Sequence, residues 1–406
     1  MCMSEDETET ANSIIRIFRA NVWKMYLFSF FSGLHFIGGV LVPFFTDWGG
    51  IDLTQILILQ SWFMLWIFIL EVPSGAVGDY LGRKYAIVLA CVVRVIAALV
   101  YGSVPIFYVF VIGEVLFAAS AALLSGASEA LIYDTLRRIR ASEKSKEVLG
   151  RTNSFGLVGV MISAPIGSVV AAEFGLNVPM LLLVVPFMIA SVIAVSLEEP
   201  EAARKSELKQ YRSILRKGLE CFYENRVLKI LALDMIFISS IAYFMIWFYQ
   251  PMLKQAGVDV AFFGIVHASF VISQIVIMNN YGALENMFRS KKRLISFSAI
   301  ITGSMFIVGG LTSFVPIVLL VIILGGGFGL SRRPLFVSYM NKYIPSAERA
   351  TVLSAVSMFR RLALVIVNPI VGLLADWSLD YTSIILGAVA IIFSLVSRVK
   401  ENQLID

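Results

Sequence analysis

Ionisable side chains set inside long apolar runs are the residues of this chain best placed to do chemistry: Glu71, Arg94, Glu114, Glu129, Asp234, Arg332, Arg333, Arg360 and Arg361, joined by His35 and His267. In hydrocarbon each charge costs several kcal/mol unless it is paired, wetted or neutralised by a proton. Such a set can tie helices together, take up and release protons, or receive a charged ligand. Arg94 and Glu114 stand ten residues either side of position 104. At about 1.5 Å per residue both fall ~15 Å from the turn there, so a pair at equal depth is expected. Glu114 is also the favoured proton-coupling residue, because a mid-span carboxyl whose distance from Arg94 changes with conformation can bind a proton in one state and release it in another. A permanent Arg94 pair would make it purely structural, leaving Glu71, Glu129 or Asp234 to be examined.

Neutral chemistry concentrates in Tyr243-Phe244-Met245-Ile246-Trp247-Phe248-Tyr249-Gln250. One helical face of this run, Tyr243, Trp247 and Gln250, can stack a flat or cationic ligand. The same run also reads as a lipid-facing, interface-anchoring surface. His35 is a candidate substrate contact, with an interhelical bridge as its commoner role. Enzyme chemistry has no support: there is no H-E-x-x-H, no G-x-x-x-x-G-K-[ST], no Cys or His cluster at metal spacing, and two histidines in all. Neither an enzyme, a cofactor nor a metal is expected, and a proton gradient is the expected energy source. Gly325-Gly326-Gly327 lies inside an apolar run and reads as a closely packed or flexible helix segment.

These residues need elements to carry them. The 406 residues are 58% hydrophobic and 15% charged, with a mean hydropathy of +0.84, against about 45–50% and about 25% in soluble domains. So few charges cannot coat two or three soluble cores, and a polytopic membrane protein follows. At about 20 residues per span, a dozen spans with their connections take up roughly 400 residues. Apolar runs fall at 22–44, 53–77, 85–100, 106–131, 154–172 and 180–195, then at 230–252, 262–282, 294–311, 316–339, 352–375 and 383–396. The expected fold is an all-α membrane protein with twelve transmembrane helices in two six-helix bundles. Residues 1–197 form the first bundle with a short cytoplasmic tail, 198–228 a cytoplasmic linker, and 229–406 the second bundle.

Basic residues set the orientation. Lys254 is alone in the odd-numbered connections, beside Asp47, Asp52, Glu173, Asp259, Asp376 and Asp380, while the even-numbered connections and both tails hold the other basic residues outside the spans. The positive-inside rule then places both termini in the cytoplasm. A net charge of +5 dispersed in this way argues against nucleic acid. Three cysteines, Cys2, Cys91 and Cys221, an odd number with a reducing interior, give no expectation of a disulfide framework. The acidic, polar first 20 residues carry no basic n-region or small-residue cleavage site, so the first apolar run is expected to stay as a helix. Residues 136–149 and 208–223 are expected as amphipathic helices on the inner leaflet or as solvated connections.

A weak repeat points to duplication. Spans 5 and 11 carry Ala164-Pro165-Ile166-Gly167 and Asn368-Pro369-Ile370-Val371-Gly372, and spans 2 and 8 each end in a Gly, an acid and a basic run. The sharpest signal follows span 2: Gly75-Ala76-Val77-Gly78-Asp79-Tyr80-Leu81-Gly82-Arg83-Lys84. It resembles the G-x-x-x-D-x-x-G-R-K loop of the major facilitator superfamily, and with twelve spans and a long central linker the resemblance covers essentially the whole chain. Gly75 and Gly82 suit close helix approach and a tight turn, and Asp79 is an anion that a helix N-terminus can receive. The resemblance implies a midplane cavity lined by spans 1, 4, 7 and 10, which favours His35, Glu114, Tyr243 and Trp247 as contacts. It implies a conformational latch of Gly75, Asp79, Gly82, Arg83 and Lys84, in which Asp79 engages the cytoplasmic start of span 11 in the outward-open state. It also brings spans 2 and 11 together, so that Glu71 can pair with Arg360 or Arg361 across the halves as a gate.

The departures are informative. Tyr80 stands where a basic residue is usual, and the second-half copy is degraded to Gly282 and Glu285 before Arg289, Lys291 and Lys292. Span 4 lacks an Arg-centred motif, and the antiporter-type Pro-Gly element survives in part, as Gly159 and residues 164–167. The expected function is secondary active transport of a small organic molecule across the plasma membrane by alternating access, leaning towards proton-coupled efflux of amphipathic or aromatic compounds. Uptake or facilitated diffusion of a metabolite, and a transport-inactive receptor or scaffold, are the alternatives. Expected partners are a small-molecule substrate and membrane lipids, without nucleic acid, around a monomer.

Overall fold

In hydrocarbon every backbone N–H and C=O must find a partner inside the protein, and for an isolated apolar run the helix is the solution. The computed structural model describes residues 5–200, 216, 220, 222–345 and 348–404, without the side chains of 5–15, 72, 79 and 350. Among these residues there are helices and no strand. Twelve helices are long and apolar enough to cross a membrane. In the first half spans 1 to 6 are Arg16–Trp48, Leu53–Leu81, Arg83–Ser103, Phe107–Arg138, Ser142–Phe174 and Val178–Val195. In the second half spans 7 to 12 are Arg226–Gln255, Val260–Asn279, Lys291–Gly309, Val315–Met340, Arg349–Trp377 and Leu379–Val396. The even number puts both chain ends on one side, here named the terminal face; the opposite side is the far face.

Several helices overrun the apolar windows, because polar residues can continue a helix into water. Residues 136–149 are for this reason not a separate surface helix. Span 4 runs on to Arg138, the chain turns at Arg140 with φ 56°, and span 5 starts after one short turn at Ser142–Lys144. The second amphipathic candidate, 208–223, lies outside the described residues except at 216, 220, 222 and 223, as do Cys2 and Cys221. Cys91 is buried and free.

Helix ends show the repeat in polar contacts. Spans 2 and 8 are both capped by aspartates, Asp52 accepting from Gln55 N and Asp259 from Ala261 N, each satisfying an orphan first-turn donor. On the terminal face the acid that follows the last span of each half caps the third span of that half. Glu199 accepts from Arg83 N at 2.9 Å and Lys84 N at 2.6 Å. Glu401 accepts from Lys291 N and Lys292 N, both at 2.9 Å, and from Ser290 Oγ at 2.6 Å. Burial works against the Glu401 anion, but the Ser290 hydroxyl, the two backbone N–H groups and the Lys291 charge outweigh it and hold this carboxyl below the ordinary range.

Packing decides how the two halves sit. They meet through spans 2 and 11, spans 5 and 8, and the far-face parts of spans 1 and 7. Toward the far face one buried apolar cluster draws on both halves, with Phe44, Leu57 and Phe110 beside Trp247, Phe263 and Leu364. Toward the terminal face the core divides. One cluster, Met25 to Leu197, belongs to the first half, and another, Phe222 to Leu404, to the second. The apolar core is therefore continuous between the halves on the far face and divided toward the terminal face, where spans 2 and 11 still meet through Glu71, Ser354 and Arg361.

Candidate functional site

The far-face seal is built around a break in span 1. Near Gly38 and Gly39 the chain leaves α geometry for a short 3-10 turn at Phe36–Val40, which removes regular partners from nearby backbone groups. Gln250 of span 7 supplies them across the interface. Val42 N donates to its Oε1 at 2.7 Å, and its Nε2 donates to Gly38 O at 3.0 Å and to Tyr249 Oη at 2.6 Å. Tyr249 Oη lies 3.1 Å from Gly38 O and 2.8 Å from His267 Nδ1. Beside it the backbones touch: a Cβ on Gly39 would lie 2.8 Å from Gly264 Cα, and one on Gly264 would lie 2.0 Å from Ala164 O. At the rim Lys254 pairs with Asp47 at 2.6 Å. Asp376 of span 11 accepts from Leu53 N at 2.9 Å, Thr54 N at 2.8 Å and the Thr54 hydroxyl, so it closes the N-terminus of span 2.

Below this seal lies a buried group of polar atoms, Tyr243 Oη, Trp247 Nε1, Arg360 Nε and both amide atoms of Asn368, none of which meets full hydrogen-bond geometry with a partner; the Tyr243 hydroxyl has Trp247 and Asn368 within bonding reach. Tyr243 is within electrostatic reach of Glu114 on one side and Arg360 on the other, and its ring stands edge-on to Trp247 at 6.3 Å. Buried polar atoms are normally paired, so a group of them at a domain interface marks a place where a ligand can complete the bonding. Tyr243 and Trp247 thus join one cluster. Asn368 was not among the expected residues; its place before Pro369 in the span 11 repeat element was its one signal. In this state the Gln250 amide is committed to Val42 N and Gly38 O of span 1 and to Tyr249 Oη of its own span. His35 sits at the start of that break, beside Phe187 at 6.1 Å and near Arg94, and no contact joins it to the Tyr243 group.

The membrane charges sort into distinct groups. Arg94 and Glu114 do not form an ion pair. Arg94 lies over the Phe187 ring of span 6 at 5.2 Å, while Glu114 accepts from Gln60 Nε2 of span 2 at 2.8 Å and Tyr101 Oη of span 3 at 2.7 Å. Equal depth does not set direction around a helix, and these two side chains point to different neighbours. Glu71 does meet span 11: Arg361 Nη1 donates to it at 3.1 Å and Ser354 Oγ at 3.2 Å. Asp234 is committed elsewhere, accepting from Arg332 at 2.6 Å and Ser397 Oγ at 2.5 Å inside the second half. Arg332 is 1% exposed and also donates to Ile295 O and Ser298 Oγ, so this pair holds spans 7, 9 and 10 together. Glu129 is exposed, in the first turn of the helical segment after the span 4 break at Gly126.

In the loop after span 2, Gly82 adopts φ 109°, and a Cβ there would press on the Glu199 carboxylate at 3.2 Å. Glycine is required on both counts. The Arg83 side chain donates to Asp134 and, at 2.7 Å, to Ala130 O of span 4, while Lys84 contributes its backbone N–H to Glu199. Gly75 departs from expectation, since nothing lies within 4 Å of its would-be Cβ and no helix approaches it in this state. The Asp79 side chain lies outside the described residues.

A family model described as Major Facilitator Superfamily matches residues 22–367, with a second match over 235–402. The chain belongs to this superfamily. Among curated proteins none matches it in sequence. Solved structures share its fold. A nucleoside transporter, NupG, superposes with a TM-score of 0.77 at 13% identity, covering 94% of this chain and 100% of its own. A POT family transporter in complex with 5-aminolevulinic acid does so at 0.73 and 13%, covering 95% and 96%. A D-xylose-proton symporter gives 0.71 and 14%, covering 94% and 97%. The chain is thus a superfamily transporter and not an enzyme, with twelve apolar helices that fit an integral protein of the plasma membrane.

Proposed function

We propose that this protein moves a small organic molecule by alternating access, and that the geometry described is its inward-facing state. One observation carries the reading: a buried polar group of the second half, Tyr243, Trp247, Asn368 and Arg360, incompletely bonded and within electrostatic reach of Glu114 in the first half, lies under a core continuous on the far face and divided toward the terminal face. With the basic, terminal face in the cytoplasm, substrate reaches these atoms from inside. Rocking of the halves then breaks the Gln250 seal and closes the terminal side.

Glu114 is the proton-binding group in this scheme. Gln60 and Tyr101 both donate to its Oε1, which leaves Oε2 to take a proton. Spans 2 and 3 supply the donors and span 4 the acid, so the site answers to movements within the first half, and Tyr243 of the second half lies within its electrostatic reach. A carrier of this kind runs in the direction its gradients set, so efflux is a matter of coupling and not of the seal. The aromatic preference expected from composition is retained in Tyr243 and Trp247. Counterflow in proteoliposomes, begun with the nucleosides, peptides and D-xylose handled by the fold relatives, is the test. Exchange of at least one solute class is expected, and Glu114→Gln should keep that exchange while losing accumulation driven by a pH gradient. Accumulation with unchanged pH dependence in Glu114→Gln would remove Glu114 from the coupling role.

A further inference from the structure

Spans 10 and 11 bring three guanidinium groups together. Arg333 Nη2 lies 3.3 Å from Ser357 Oγ, one turn from Arg361 along span 11, and both Arg333 and Arg361 are within electrostatic reach of Arg360. One carboxylate answers them, Glu71, and it is taken by Arg361 and Ser354. Among the described residues neither Arg333 nor Arg360 has an acidic partner. The adjacent Arg332 shows the contrast, with an aspartate, a carbonyl, a hydroxyl and an aromatic face around it. Like charges gathered at membrane depth repel, and a guest that brings negative charge relieves that repulsion.

The incompletely bonded atoms nearby have a matching chemistry. Arg360 Nε–H, Tyr243 O–H, Trp247 N–H and the Asn368 amide N–H are donors, against one acceptor, Asn368 Oδ1, which the Tyr243 hydroxyl can reach, so donors outnumber acceptors in the group. A donor-rich, cationic group flanked by aromatic rings suits an oxyanion carried on a flat body, and a guanidinium receives carboxylate and phosphate through its planar fork. We propose that the substrate is a small organic anion, a carboxylate or phosphate on an aromatic or unsaturated body, with the oxyanion held by Arg360 and Tyr243 and the body lying against the edge-on Tyr243 and Trp247 rings. This rests on the transport reading of the same site.

Matched probes test it: benzoate, phenyl phosphate, benzamide, benzylamine and inorganic phosphate, added to the purified full chain and read by thermal shift and by counterflow. Benzoate or phenyl phosphate should stabilise the protein and exchange, ahead of benzamide, benzylamine and inorganic phosphate. Whether carboxylate or phosphate leads distinguishes the two oxyanions. Arg360→Gln should weaken the anion about tenfold to a hundredfold, as for loss of a charge-assisted bond, with Arg360→Lys intermediate and Arg16→Gln, at the terminal-face start of span 1, unchanged. If Arg360→Gln fails to fold, Arg333→Gln, on an exposed side chain, should reduce the same anion-over-neutral preference. Anions that do no better than benzamide, or a preference that survives both substitutions, overturn the proposal. Exchange confined to neutral or cationic probes overturns the anion assignment and leaves transport standing. Anions that stabilise the protein while nothing exchanges overturn the transport reading and leave the anion site standing.

Discussion

Replacing Gln250 with leucine removes the centre of the far-face seal at little cost in volume. The side chain is 1% exposed and makes two bonds across the halves, from Val42 N at 2.7 Å and to Gly38 O at 3.0 Å. Gly38 O keeps Tyr249 Oη at 3.1 Å, so its lost bond counts at the ordinary net value of about 0.5–1.5 kcal/mol. Val42 N–H loses the side-chain acceptor it has here, and a buried donor left bare costs about 1–3 kcal/mol. The sum, roughly 2–4 kcal/mol, falls on the sealed state alone, because water reaches both groups once the far face opens. At about 1.4 kcal/mol per tenfold, the sealed-to-open ratio should drop by roughly 30-fold to 1000-fold. The Lys254–Asp47 pair offers a control at the same face. Its side chains are 58% and 35% exposed, and such pairs contribute about 0–1 kcal/mol, so Lys254→Ala should shift the ratio by less than about fivefold. Asp376→Ala, which uncaps span 2, should fall between at about 0.5–2 kcal/mol. Spin labels at the exposed positions Val104 and Leu311, in a background lacking Cys2 and Cys221, report the far-face opening as a distance distribution. An unchanged distribution in Gln250→Leu, or an order in which Lys254→Ala has the larger effect, would refute the seal as described.

Three further outcomes follow from the polar contacts. Glu71→Gln and Arg361→Gln should each impair transport, and a double-mutant cycle should show coupling with partial rescue by the charge swap; purely additive losses would mean the contact carries no coupling. Asp234→Ala leaves Arg332 charged and buried, so it should destabilise the second half by about 3–5 kcal/mol, while the double change Asp234→Leu with Arg332→Met should recover most of the loss. Thermal unfolding in detergent measures both. The Glu401 carboxyl is held below its ordinary range, so the stability it lends to tail docking is full above that range and fades as pH falls through the depressed value. The protection factors of residues 399–404, taken against the intrinsic exchange rate at each pH, should therefore fall on acidification, and Glu401→Gln should show the low protection already at neutral pH with no further fall.

The sequence by itself determined the solvent, the number of spans and the superfamily, because a run of about 20 apolar residues and a glycine-bearing loop are local signals that need no partner to be read. The resemblance to the superfamily also brought Glu71 toward the span 11 arginines, because it implies that spans 2 and 11 meet. Depth along a helix is counted in residues; direction around it is not. Arg94 and Glu114 share a depth and face different neighbours, Phe187 against Gln60 and Tyr101. The partners of Asp234 and of Gln250 lie 98 and more than 200 residues away, so local spacing could not supply them. Gln250 looked like one more polar face of an aromatic run; only tertiary structure placed it against a broken helix whose backbone needed both a donor and an acceptor. The same is true of Asn368, whose incompletely bonded amide acquires meaning from Tyr243 and Trp247 on span 7 of the same bundle. Membrane depth is written in one dimension along the chain, whereas the choice of partner at that depth is made by helix rotation and by the meeting of two halves, and those exist only in the packed molecule.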